Sequence, residues 1–246
     1  MAGRSVRISD ASARCPLGIC DGSGFVVDEA TRTAMDCACR AQRIASARSR
    51  GLEARIPRRY ANVSFDRPPV SDLARSAPEQ LRIVRRYVEQ LDENVAAGRG
   101  LWLTGDVGTG KTTLAMLISK TAAEHGHGTA IYSLPRLLGL LRESLSTDGK
   151  MDLIDRLAAV DLLHLDDLGA EHRTEWVLEQ LYAIVNARYE AERAIIATTN
   201  LEPDELRETL GERTVSRLEE ICGEPIPLHG PDRRRELRLD EAPSAL

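Results

Sequence analysis

The chain has 246 residues, 42% hydrophobic and 29% charged, a composition that excludes a disordered polypeptide and a collagen-like repeat. Its 33 basic and 38 acidic side chains leave a net charge of −5, so any contact with nucleic acid has to come from a local patch. No apolar stretch approaches the roughly 18 residues that span a bilayer, and the N-terminus lacks the apolar core of a signal peptide, which predicts a cytoplasmic, reducing setting without a membrane partner.

In chain order, the first feature is a cluster of Cys15, Cys20, Cys37 and Cys39 in a Gly-rich stretch with too few apolar side chains for its own core. Four thiolates suit tetrahedral Zn²⁺ in a structural role, because metal binding then supplies folding free energy. The alternatives are disulfides, disfavoured in a reducing compartment, or free thiols. Gaps of four residues and of one depart from the usual two in each pair. Residues 40–59 carry seven Arg against one acid, Glu53, and read as a basic helix or linker ending at Pro57. These arginines would meet nucleic-acid phosphates or an acidic protein surface. The predicted division is 1–39, 40–59, a large α/β domain over 60–235, and a tail over 236–246.

From Tyr60 onward helix and strand alternate, the pattern of a parallel sheet covered on both faces. Leu81, Val84, Val88, Leu91 and Val95 predict a helix from Pro78 to Gly98. Leu101–Leu103 reads as a strand, followed by a helix from Lys111 to about Glu124. Strands are predicted at Thr129–Ser133, Val160–Leu165, Ala194–Thr198 and Ile226–Leu228. Helices are predicted near Pro135–Leu145, over 151–159, at Glu175–Glu190 and over Pro203–Ile221.

Between the first of those strands and its helix lies Gly105-Asp106-Val107-Gly108-Thr109-Gly110-Lys111-Thr112, which fits G-x-x-x-x-G-K-[ST]. Glycines let successive N–H groups turn inward around an anion, and the helix N-terminus adds its positive dipole end. Only three of the 33 basic residues are Lys, and one of them is Lys111. A compact ammonium there reaches β- and γ-phosphates, where Arg is a poor isostere. Thr112 offers a hydroxyl to Mg²⁺. The alternative is a Gly-rich turn that matches by accident.

Asp161–Asp167 is an apolar strand ending in two acids. In a doubly wound sheet strand C-termini line the ligand crevice, so Asp166 would face the Mg²⁺ held by Thr112 and Asp167 would orient an attacking water. The alternative is a strand end exiting into solvent. Asn200, after the next strand, would bridge that water and the γ-phosphate, or else cap a helix. His164 and Cys222 read as packed core residues.

Together these residues resemble the AAA+ ATPases. Gly105–Thr112 looks like Walker A, Leu162–Asp167 like Walker B, Asn200 like sensor 1 and Glu212–Leu218 like the arginine-finger helix. Asp166–Glu171, with Ile56-Pro57-Arg58-Arg59-Tyr60 upstream, is similar to the DnaC/DnaI-type helicase loaders and their IstB-type relatives over roughly residues 56–235. The resemblance implies an AAA+ P-loop domain without a full helical lid, since only 29 residues (246 − 217) follow Arg217. It implies ATP bound by Gly105–Thr113 and Tyr60, and slow hydrolysis in which Lys111, Asp166, Asp167 and Asn200 act within one subunit. Asp167, one methylene shorter than the Glu common in the class, is the reason to expect slow turnover. Arg217, or Arg213 one turn earlier, would act on a neighbour's ATP, and Arg233 or Arg234 would match sensor 2. The implied partners are a DnaB-type hexameric helicase docked on the Cys module, single-stranded DNA, and further copies in an ATP-dependent ring or spiral bound to the helicase. A transposition-helper ATPase and an adaptor with negligible turnover are the alternatives.

Overall fold

The computed structural model describes residues 15, 17–28, 31–49, 52, 55–144, 149–170 and 173–232. Arg233, Arg234, Glu171, Glu53 and the tail lie outside them. The Cys-rich stretch forms an antiparallel hairpin, β1 (Phe25–Asp28) and β2 (Thr33–Asp36), followed by α1 (Cys39–Ser49). A hairpin is absent from the sequence-based expectation because its strands alternate weakly and β2 is exposed along its whole length.

Thereafter come α2 (Leu73–Ser76), α3 (Pro78–Glu89), α4 (Leu91–Ala96), β3 (Leu101–Thr104), α5 (Lys111–Glu124), β4 (Thr129–Ser133), α6 (Leu134–Ser144) and α7 (Gly149–Ala159). β5 (Leu162–Leu168), α8 (Glu175–Glu190), β6 (Ala194–Thr199), α9 (Pro203–Leu210), α10 (Glu212–Cys222) and β7 (Ile226–Pro227) complete the chain. Five parallel strands form the sheet in the order β4-β5-β6-β3-β7. The expected fold class is the one observed.

Strand alternation divides the core into two layers. Leu101 and Leu103 of β3 pack with α2–α5, while Trp102 joins the layer under α6–α10. Two predicted helices are each broken in two. The first breaks at Gln90, where the buried Asn94 Nδ2 donates to the Tyr87 carbonyl at 3.0 Å and the Tyr87 hydroxyl donates to Arg99 O at 2.7 Å. Local polar bonds thus replace the helical ladder, and Tyr87 rather than Val88 enters the core. The second breaks at Gly211, whose φ of 86° is left-handed.

One clamp fastens the far side of the sheet. Arg188, wholly buried on α8, donates to the carbonyls of Leu157, Val160, Asp161 and Ala194 at 2.5–3.1 Å. The end of α7 is thereby tied to the starts of β5 and β6.

Candidate nucleotide-binding site

Residues Leu101–Thr104 are fully buried, so β3 delivers the glycine loop from a rigid support. Gly105, Gly108 and Gly110 have φ values of 117°, 81° and 109°, which side-chain-bearing residues rarely adopt. At Gly105 close approach matters as well, because a Cβ would lie 2.2 Å from Leu228 O. The loop closes on Lys111, whose Nζ donates to Gly105 O at 2.7 Å and Asp106 O at 2.6 Å. Lys111 is buried and opens α5, whose apolar residues anchor it against the sheet.

A cavity of about 570 Å³ lies beside this loop. Val107–Thr113 line one part, Asp167, Ala170 and Asn200 a second, and Tyr60, Val63, Pro68, Pro69 and Leu73 a largely apolar end that also carries Arg59, Asn62 and Arg67. Asp106 points away from it: Gly230 N donates to Asp106 Oδ2 at 3.2 Å. Arg217 and Arg213 are not in the lining.

The acids reach the loop by a backbone irregularity. On β5, His164 and Asp166 share the face turned to α5. Ordinary alternation would send Asp167 to the opposite face. Instead Leu165 pairs with Ala197 and Leu168 with Thr199, so β5 carries one extra residue, and Asp167 has a φ of 58°. This bulge turns Asp167 into the cavity beside its neighbour. Asp166 sits just behind, 9% exposed and within hydrogen-bonding reach of the Thr112 hydroxyl.

Thr198 fixes both acids. Its hydroxyl donates to Asp166 Oδ1 at 2.7 Å and accepts from the Asp167 N–H at 3.0 Å. His164, fully buried, has Nδ1 3.0 Å from Ser119 Oγ and Nε2 3.8 Å from Asp166 Oδ1. Burial pushes the Asp166 carboxyl up, but His164 and the Thr198 and Thr112 hydroxyls outweigh it and hold the group below the usual carboxylate range. An ionised carboxylate beside a threonine hydroxyl at the mouth of a phosphate loop is the hard oxygen set that Mg²⁺ takes.

Several contributors escaped the sequence reading. Thr198 precedes the strand end by a single residue, and a polar side chain there was the available signal. Arg67-Pro68-Pro69 carried only a turn signal, and His164 shows more than core packing.

The four cysteines also converge. Their sulfurs lie within 4.8 Å of one another, with Cys15–Cys37 at 3.9 Å and Cys20–Cys39 at 3.6 Å. Sulfurs around a tetrahedral ion with bonds of about 2.3 Å stand about 3.8 Å apart, so the set fits zinc. The backbone N–H of Cys20, opposed by burial, draws the Cys15 thiol down to about 6, and burial drives Cys39 up to about 12.

A parallel sheet between helical layers, a glycine loop closed on a lysine, and paired acids on β5, separated from β3 by β6, define an AAA+ P-loop nucleotide-binding domain. The IstB-like ATP binding protein family matches residues 70–218, more than half of the chain, and the chain belongs to that family. It is 26% identical over 162 residues to the replicative helicase loader DnaC of Buchnera aphidicola subsp. Acyrthosiphon pisum, spanning 65% of this chain and 64% of that one. It is 27% identical over 184 residues to the loader DnaI of Bacillus subtilis, spanning 70% and 58%. The chain thus spans less than two thirds of the length of these curated relatives. A crystal structure of the DnaC helicase loader superposes with a TM-score of 0.60 at 26% identity, covering 71% of this chain and all of that one.

Proposed function

We propose that this chain is an ATP-dependent loader of a DnaB-type hexameric replicative helicase onto single-stranded DNA in the cytoplasm. The observation that carries the reading is a single cavity lined by Lys111, Thr112, Asp167 and Asn200 in a chain similar to named loaders over 65–70% of its length. The Cys module, with zinc as its structural ion, and the basic α1 dock the helicase.

In the ATPase step the loop amides and Lys111 grip the β- and γ-phosphates of ATP. Tyr60 and the proline-lined end receive the adenine. Thr112 and Asp166 hold Mg²⁺, which neutralises phosphate charge when bound. Asp167 orients the attacking water, and Asn200 aligns it on the γ-phosphate. Arg217 of a neighbouring copy stabilises the charge that develops as ADP leaves. Because Asp is shorter than Glu, turnover is slow and nucleotide acts chiefly as a switch.

Co-purification with the host's hexameric helicase tests the reading, together with its loss on deleting residues 1–59. A chain that ignores the helicase and instead follows a transposase would sink it and favour the transposition-helper role suggested by the family's name.

A further inference from the structure

Three arginines of α9 and α10 have very different surroundings. Arg207 is neutralised by Glu219 at 2.5 Å, with Glu212 and Asp204 at 3.6 and 3.7 Å. Arg213 is exposed, and its side chain makes no hydrogen bond or ion pair among the described residues. Arg217 is held, but only by neutral groups. Its Nε donates to Asn186 Oδ1 at 2.6 Å and its Nη1 to Arg213 O at 3.4 Å. Its guanidinium carbon lies 5.0 Å from the Tyr182 ring centre and 5.5 Å from that of Tyr189.

Such partners orient a cation without cancelling its charge. The holders are themselves fixed from α8 and α10. Asn186 Nδ2 donates to Glu190 Oε1 at 2.9 Å, and the Tyr189 hydroxyl donates to Glu220 Oε2 at 2.8 Å. Arg217, Asn186 and Tyr182 are half-buried and Tyr189 is 37% exposed, so the guanidinium lies at the protein surface, outside the chain's own cavity. An ordered surface cation without a carboxylate partner is suited to an anion carried by another molecule.

We propose that Asn186, Tyr182 and Tyr189 form a positioning cradle that presents Arg217 to the phosphates of ATP bound by a second copy of this chain. The proposal rests on the trans-acting reading of Arg217 above and deepens it. Arg213, lacking any such support, is not the finger.

The test uses the full chain with the host's hexameric helicase and single-stranded DNA, reading phosphate release and, separately, fluorescent-ATP binding. Asn186→Ala and Tyr182→Ala should each lower kcat roughly tenfold, the scale of a modest misplacement, while KM stays within about twofold. Tyr182→Phe, which keeps the ring face, should restore the rate lost in Tyr182→Ala. Mixing Asn186→Ala with Lys111→Ala subunits, whose own site is dead but whose Arg217 is intact, should raise turnover above either alone. If Arg217→Ala is complemented by Lys111→Ala but Asn186→Ala turns over normally, the cradle is overturned and the trans finger stands. Should Arg217→Ala turn over like the unmodified chain, or the unmodified chain release no phosphate, the reading falls and takes the cradle with it.

Discussion

The Thr198 hydroxyl donates to Asp166 Oδ1 at 2.7 Å while it accepts from the N–H of Asp167, so one side chain of β6 sets both acids of β5. Thr198→Val keeps the shape and removes both bonds. Leaving a buried carboxylate short of a donor costs about 1–3 kcal/mol. We expect a stability loss of that order in urea melts and Mg²⁺-ATP affinity weakened roughly tenfold; an unaltered titration by calorimetry would count against the relationship.

Gly105→Ala should be among the most damaging small substitutions. The new Cβ would meet Leu228 O at 2.2 Å, and alanine would be held at a φ of 117°. Backbone strain of this kind costs on the order of 1–3 kcal/mol before the clash is counted. The expected outcome is a lowered thermal midpoint together with lost nucleotide binding. Gly139, where an added Cβ meets nothing within 4 Å, is the control and should tolerate alanine.

Arg188 is fully buried and donates to four carbonyls, and burial lowers its pKa to about 9. Arg188→Ala leaves those carbonyls unpaired around a void. Breaking such a network costs about 3–5 kcal/mol, which chemical denaturation should register with an unchanged m-value. A loss below 1 kcal/mol would mean that water replaces the guanidinium at little cost.

Zinc retention should depend on acidity in a fixed direction. The Cys15 thiol, drawn down to about 6, yields its proton to a metal readily, whereas Cys39, pushed up to about 12 by burial, has to lose a proton to bind. The lowered Cys15 pKa contributes its full stabilisation above the ordinary thiol value of 9.0, and that contribution shrinks with falling pH until it is lost through about 6. A chelating-dye assay should find metal release rising below pH 6. Equal retention at pH 5 and pH 7.5 would contradict the four-thiolate site.

The parts of this architecture written in short-range patterns were legible before any coordinates. Lys111–Glu124 and Glu175–Glu190 begin and end where their glycine signal and periodicity put them, and the glycine loop announces itself by spacing. What escaped depends on pairing between distant segments. The bulge at Asp167 exists only because β5 is registered against β6, and no local signal marks a left-handed aspartate. The break at Gln90 depends on Asn94 reaching back to Tyr87, and the cavity's apolar end depends on residues 60–73 folding over α5. Nothing local marks Arg188, because sequence carries no record of four carbonyls converging on one point.

The short strand β7 has a consequence of another kind. Through Leu103↔Ile226, Thr104↔Pro227 and the bond from Leu228 N to Thr104 O, it covers the outer margin of the strand that feeds the glycine loop. A chain cut before Ile226 would leave that margin bare and apolar, a template on which other molecules could add strands. Such a fragment would come out of expression as aggregate, however intact its nucleotide pocket.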